Sequence, residues 1–188
     1  MIIKSVKFIK GLVGDDDILA SDIPQIAFIG RSNVGKSSLI NVITNSKISR
    51  TSSFPGRTQE INIFLINDSF YFVDLPGYGF ARSSGLGREK IGELIDSYLF
   101  NSIYHQQKIV LIIDANVGLT DKDILMFEEL QKFKKNFIII ANKIDKMTQS
   151  EYHKKITTIN KILYPHKAIP FSVKKKTGLK NLTDEIFS

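Results

Sequence analysis

Hydrophobic positions along the 188-residue chain follow two alternating rhythms. Short apolar runs rich in Ile, Val and Phe read as buried strands: IPQIAFIG from Ile23, INIFLI from Ile61, FYFVDL from Phe70, IVLIIDA from Ile109, FIIIAN from Phe137 and AIPFSV from Ala168. Longer segments with helical spacing separate most of them: KSSLINVIT, REKIGELIDSYLF, DKDILMFEELQKF, SEYHKKITTINKIL and GLKNLTDEIF. This alternation predicts an α/β fold, a mostly parallel sheet covered by helices on both faces. INIFLI and FYFVDL break the rule, because only a hairpin-type turn around Asn67 and Asp68 parts them. One edge strand is therefore expected to run antiparallel.

The N-terminal MIIKSVKFIKGLVGDDD is interrupted by Lys4, Lys7 and Lys10 and has neither the apolar core nor the small-residue cleavage site of a secretory signal. It reads as a further short strand. No apolar run approaches the roughly 20 residues of a membrane-spanning helix. The longest irregular stretch, about Lys47 to Gln59, is of a length that usually carries function or motion. With 43% hydrophobic residues and no repeat, linker or low-complexity tract, residues 1–188 are expected to form a single domain with the N-terminal strand as an extension.

Composition narrows the chemistry. The chain has no cysteine, which excludes disulfides, thiolate metal sites and a Cys nucleophile and suits a cytoplasmic location. The formal net charge of +7 favours an anionic partner such as nucleic acid. His105, His153 and His166 have no metal-ligand spacing.

Gly30, Arg31, Ser32, Asn33, Val34, Gly35, Lys36 and Ser37 spell the phosphate-loop pattern G-x-x-x-x-G-K-S between a strand and a helix, with Ser38 continuing the turn. Glycines let the backbone wrap a phosphate closely, and successive N–H groups with the helix N-terminus supply a positive field. Average residue frequencies give roughly one chance match in a hundred chains of this length. Lys36 is expected at the β- and γ-phosphates and Ser37 on Mg²⁺. Asn142, Lys143 and Asp145, after the strand FIIIAN, form an N-K-x-D sequence. A carboxylate there accepts from the adjacent N–H donors of guanine, which adenine lacks, and such a site can reject the wrong base by ~10⁴-fold. The Lys143 stem can lie over the base. Phe171, Ser172, Val173 and Lys174 can offer backbone N–H groups to guanine O6, or be a plain loop.

Asp74, ending a strand, can hold Mg²⁺ through water, and Leu75, Pro76 and Gly77 follow it, with the Gly77 N–H able to meet the γ-phosphate. Thr58, preceded by Pro55, Gly56 and Arg57 in the long loop, can ligate Mg²⁺ only when that phosphate is present. Ser37, Thr58 and Asp74 are thus the expected Mg²⁺ residues, and Lys36, Thr58 and Gly77 the expected catalytic contributors.

With GRSNVGKSSLIN, PGRTQEIN, DLPGYGFA, NKID and SVKKKTG in view, the chain resembles the EngB (YihA/YsxC) ribosome-biogenesis GTPases over nearly its whole length. PGRTQ and DLPGYGFA carry the distinction from generic small GTPases. The resemblance implies a P-loop GTPase fold. It also implies GTP or GDP contacts at Gly35, Lys36, Ser37, Thr58, Asp74, Gly77, Asn142, Asp145 and Ser172. The implied role lies in assembly of the large ribosomal subunit, with a link to cell division and septation. The base motif departs mildly by starting with Asn142 where the family often has Thr, and SVK replaces a small-residue pair.

Position 78 is Tyr, where many GTPases place a water-orienting glutamine, so slow hydrolysis is expected, on the order of 10⁻⁴ to 10⁻² s⁻¹ or below. Asn33 can hold K⁺ against the phosphates, as the corresponding Asn does in related GTPases lacking that glutamine, or simply serve a tight turn. Arg31, Arg57, Arg82 and Arg88 are candidate cis arginines or solvated charge. Lys174, Lys175, Lys176 and Lys180, with Lys154, Lys155 and Lys161, can face ribosomal RNA or protein, or only water. Phe54, Tyr78 and Phe80 either pack inward or display a partner surface, and the motion expected of both loops favours display. The protein is expected to act as a monomer without a membrane anchor. A small-molecule kinase and a non-ribosomal switch are the alternatives. NKID and the absence of an arginine-rich lid weigh against the kinase, and the lack of a prenylatable Cys or an N-terminal Gly weighs against a membrane-tethered switch.

Overall fold

The computed structural model describes residues 2–49, 60–79, 85–101 and 104–188, with the backbone alone for 85–88 and 101. Seven strands form one sheet in the order β1-β3-β4-β2-β5-β6-β7. They are β1 Val6–Leu12, β2 Gln25–Gly30, β3 Ile61–Ile66, β4 Phe70–Asp74, β5 Gln106–Asp114, β6 Phe137–Asn142 and β7 Ala168–Pro170. The helices are α1 Lys36–Ile43, α2 Gly85–Asp96, α3 Asp121–Lys132, α4 Gln149–Ile162 and α5 Leu179–Ile186. All five helical segments and all six apolar runs read from the sequence are present.

Side-chain alternation assigns the two faces. Ile26 and Phe28 of β2 pack with Leu39 and Ile40 of α1 and Leu182 and Ile186 of α5. Ala27 and Ile29, one position out of step, join Ile95 of α2, Phe127 and Leu130 of α3 and Ile159 of α4 on the opposite face. A strand buried on both faces has no polar alternation, which is why β2 and β5 read as continuous apolar runs.

β3 is the antiparallel member, paired to β4 through a turn in which Asn67 and Asp68 have φ of 52° and 50° and the Ser69 N–H donates to Ile66 C=O at 2.9 Å. Positive φ at both central residues is the condition for a primed turn, whose twist suits a hairpin. The edge itself goes to β1, which runs antiparallel against β3 and tucks that strand one place inward. Parallel β2, β4, β5 and β6 end together at Gly30, Asp74, Asp114 and Asn142. The crevice beyond those carboxyl ends is where such sheets bind ligands. Among the described residues, no helix is long and apolar enough to cross a membrane.

Candidate guanine nucleotide and magnesium site

The turn from β2 into α1 requires left-handed backbone at Asn33 and Gly35, with φ of 67° and 99°. Gly35 is also constrained by space, because an added Cβ would lie 2.5 Å from Nδ2 of Asn142. Gly35→Ala is expected to cost about 1–3 kcal/mol of stability from backbone strain alone, and to weaken nucleotide binding as the loop shifts. Urea denaturation with parallel nucleotide titration checks this; an unchanged midpoint would contradict the packing described.

Asn142 ends β6 with both ends of its amide hydrogen-bonded. Its Nδ2 donates to Val34 C=O at 2.8 Å and its Oδ1 accepts from the Val173 N–H at 3.3 Å, so one buried side chain ties the phosphate loop to the loop after β7. Lys143 lies beside it at φ 69° and donates to Asn33 C=O at 2.5 Å and to Asp114 Oδ2 at 2.7 Å. Asp114 also accepts from the N–H of Asn116 at 3.0 Å, closing its own turn. Asp145 accepts from the Ser172 hydroxyl at 2.6 Å. That bond first, then a backbone N–H and the charges of Lys174 and Lys175, hold its carboxyl below the ordinary range, so it stays an acceptor at neutral pH. Phe171, fully buried, anchors the loop that carries Ser172.

On the phosphate side, the Lys36 ammonium is paired with Asp74 Oδ1, and both side chains are almost fully buried. Asp74 Oδ2 accepts from Ser49 Oγ at 3.0 Å and lies 3.5 Å from Ser37 Oγ. Ser49 is itself fixed by Asn41 of α1, which donates to its C=O and accepts from its N–H, both at 2.8 Å. The start of the long loop is thereby fastened to the phosphate-loop helix. One carboxylate and one hydroxyl are hard oxygen donors suited to Mg²⁺, which keeps several waters and draws its remaining ligands from phosphate. Among the described residues there is no group of three His, Cys, Asp or Glu able to hold a metal by themselves.

Leu75 and Pro76 are buried, and Gly77 sits against Ser32, whose backbone N an added Cβ would approach to 2.9 Å. Tyr78 bridges the same loop, its N–H donating to Gly30 C=O and its C=O accepting from the Ser32 N–H, both at 3.2 Å. Of the two readings of Tyr78, inward packing or display in one nucleotide state, this structure shows the inward one. Its ring packs against the core, and its hydroxyl donates to Asp123 Oδ1 at 2.8 Å, because a buried phenol needs an acceptor. Burial first, then the Asp123 charge and bond, push the phenol pKa upward, so it remains a donor. Arg31, a candidate cis arginine, is committed to the same carboxylate through Nε at 3.0 Å.

Pro55, Gly56, Arg57 and Thr58, like Phe54, Phe80 and Arg82 and the side chain of Arg88, lie outside the described residues. Sequence reading missed Asp114, Asp123, Asn41 and Ser49. Asp123 had a local signal as the third helical residue, closing a T-x-x-D helix start at Thr120; Asp114 had only its place at a strand's carboxyl end.

A phosphate loop, an N-K-x-D corner and an Asp-x-x-Gly turn at the ends of parallel strands define a P-loop GTPase. The family model for 50S ribosome-binding GTPases matches residues 25–143. "Probable GTP-binding protein EngB" of Clostridioides difficile (strain 630) is 43% identical over 190 residues, covering 99% of this chain and 93% of its own. A crystal structure of a probable GTP-binding protein engB superposes with a TM-score of 0.73 at 25% identity, covering 87% of this chain and 96% of that one. Era in complex with MgGDPNP and nucleotides 1506–1542 of 16S ribosomal RNA superposes at 0.71 with 26% identity, over 87% of this chain and 55% of Era's. The chain belongs to the EngB family of GTP-binding proteins and hydrolyses GTP.

Proposed function

We propose that this GTPase is a slow, nucleotide-dependent switch in assembly of the large ribosomal subunit, with a consequent link to cell division and septation. The match to the 50S ribosome-binding family model carries the reading. Charge supports it, since Lys174, Lys175, Lys176 and Lys180 are all exposed beside the base-binding corner, where they can neutralise RNA phosphates. Lys155 is not part of that reserve, being bonded to Asn116 C=O.

In this reading Asp145 accepts from guanine and Lys143 covers the base. The phosphate-loop N–H groups and Lys36 would hold the phosphates, and Ser37, Thr58 and Asp74 would hold Mg²⁺, which when bound would neutralise developing charge on the phosphates. To hold phosphate, Lys36 would exchange the Asp74 carboxylate for phosphate oxygens, leaving Asp74 available to the metal. Gly77 presents its N–H to the γ-phosphate. No amide at position 78 orients the attacking water, and the Tyr78 hydroxyl is engaged elsewhere. Turnover therefore depends on outside help, from a partner or from K⁺ held near Asn33. The left-handed Asn33 satisfies the turn role in any case.

Multiple-turnover GTP hydrolysis, measured alone and with purified large or small subunits in KCl or NaCl, tests the proposal. The protein alone should turn over on the order of 10⁻² s⁻¹ or slower, and large subunits should accelerate it while small subunits do not. Equal rates in KCl and NaCl would remove K⁺. Fast turnover without subunits would overturn the reading of a slow switch.

A further inference from the structure

Asp123 is the most heavily engaged carboxylate near the phosphate loop and has no solvent exposure. It accepts from the Thr120 N–H at 3.0 Å and the Thr120 hydroxyl at 2.7 Å at the start of α3. It also accepts from Arg31 Nε at 3.0 and 3.2 Å and from the Tyr78 hydroxyl at 2.8 Å. Capping α3 uses only the Thr120 bonds; the other donors come from segments 92 and 45 residues away. A buried ion pair is weak evidence of stability by itself, because desolvation offsets much of the attraction. Arg31 Nη2 even lacks a hydrogen-bond partner among the described residues. Its geometry therefore indicates what the arrangement does: it fixes register.

Arg31 and Tyr78 form a single parallel bridge beyond the ends of β2 and β4, closed by the two 3.2 Å backbone bonds. Gly77 immediately precedes that bridge and rests on Ser32 with no room for a Cβ. A side chain gripping both bridge residues thus sets where the Gly77 N–H lies relative to the phosphate loop. We propose that Asp123 is a positioning residue for GTP recognition, holding Gly77 at the γ-phosphate through Tyr78 and Arg31. This rests on the reading that the Gly77 N–H meets the γ-phosphate. The latch organises that donor before GTP arrives, so less ordering is required on binding. Because GDP has no γ-phosphate, the latch discriminates between the two nucleotides and does not strengthen both.

The test is titration of the full chain with Mg·GDP and a Mg-bound nonhydrolysable GTP analogue in three single variants and one double variant. Tyr78→Phe removes one hydroxyl, and Asp123→Asn keeps the shape and an acceptor for Thr120. Each should weaken the analogue roughly ten- to 150-fold, the range of one hydrogen bond to a charged group, and leave GDP within about twofold. Combining them should add little, since both act through one latch. Gly77→Ala should lose analogue affinity selectively as well. If Gly77→Ala lowers the analogue-to-GDP ratio while the other two leave it unchanged, the latch is wrong and the γ-phosphate reading stands. An unchanged ratio in Gly77→Ala sinks both. Equal weakening of both nucleotides by Tyr78→Phe and Asp123→Asn assigns Asp123 a structural role only and overturns the proposal.

Discussion

Asp145→Asn is expected to abolish tight guanine nucleotide binding, lowering affinity by roughly 10⁴-fold, the penalty for leaving a base's polar edge unpaired. A carboxylate accepts at both oxygens and matches the two adjacent N–H donors of guanine. An amide presents one donor and one acceptor, which matches the N–H and C=O of xanthine. The same variant should therefore gain Mg·XDP binding while losing Mg·GDP. The fold should be unaffected, because the residue is only partly buried and Oδ1 of the amide can still accept from the Ser172 hydroxyl. Titration with both nucleotides separates specificity from damage. Loss of both without gain of xanthine would show that Asp145 does not read the base edge.

Lys36→Ala should act on two levels. Without nucleotide it leaves Asp74 buried with, among the described residues, only the hydroxyls of Ser49 and Ser37 nearby, and breaking a buried pair in this way costs about 3–5 kcal/mol, less to the extent that those hydroxyls help. With nucleotide it removes a cation from the phosphates, a loss of about 2–5 kcal/mol or roughly 30- to 5,000-fold in affinity. A double variant, Lys36→Ala with Asp74→Ala, separates the two levels. Neutralising both partners should restore much of the stability, while nucleotide affinity stays low. If the double variant is no more stable than the single one, the Lys36–Asp74 pair does not organise the unliganded site.

Where sequence reading succeeded, the signal was local. The six apolar runs and five helical segments each carry their own period, and the turn at Asn67 and Asp68 is set by residues that tolerate positive φ. The phosphate loop and NKID are contiguous strings whose chemistry is encoded in residue type. The position of β1 was less legible: a short strand broken by lysines reads as a strand but does not name its neighbour, and only pairing places it outside β3. Tyr78 shows the limit most clearly. Its sequence neighbours are glycines and a phenylalanine, so nothing nearby tells whether the ring faces in or out. The answer depends on topology, which brings the start of α3 beside the end of β2 and delivers a buried acceptor from 45 residues away. Asn142 illustrates the same point, for its motif names a base corner while its amide bonds to the phosphate loop 108 residues earlier.

These contacts give the missing glutamine a physical counterpart. Position 78 holds a side chain that fastens the loop carrying Gly77 to α3, which accords with the proposed slow switch. The most direct measurement is co-sedimentation of the full chain with purified large ribosomal subunits in the presence of a Mg-bound nonhydrolysable GTP analogue or Mg·GDP. A salt-sensitive complex with the analogue, and little or none with GDP, is the expected result. Failure to bind in either state, or equal binding in both, would contradict a GTP-dependent switch on the large subunit.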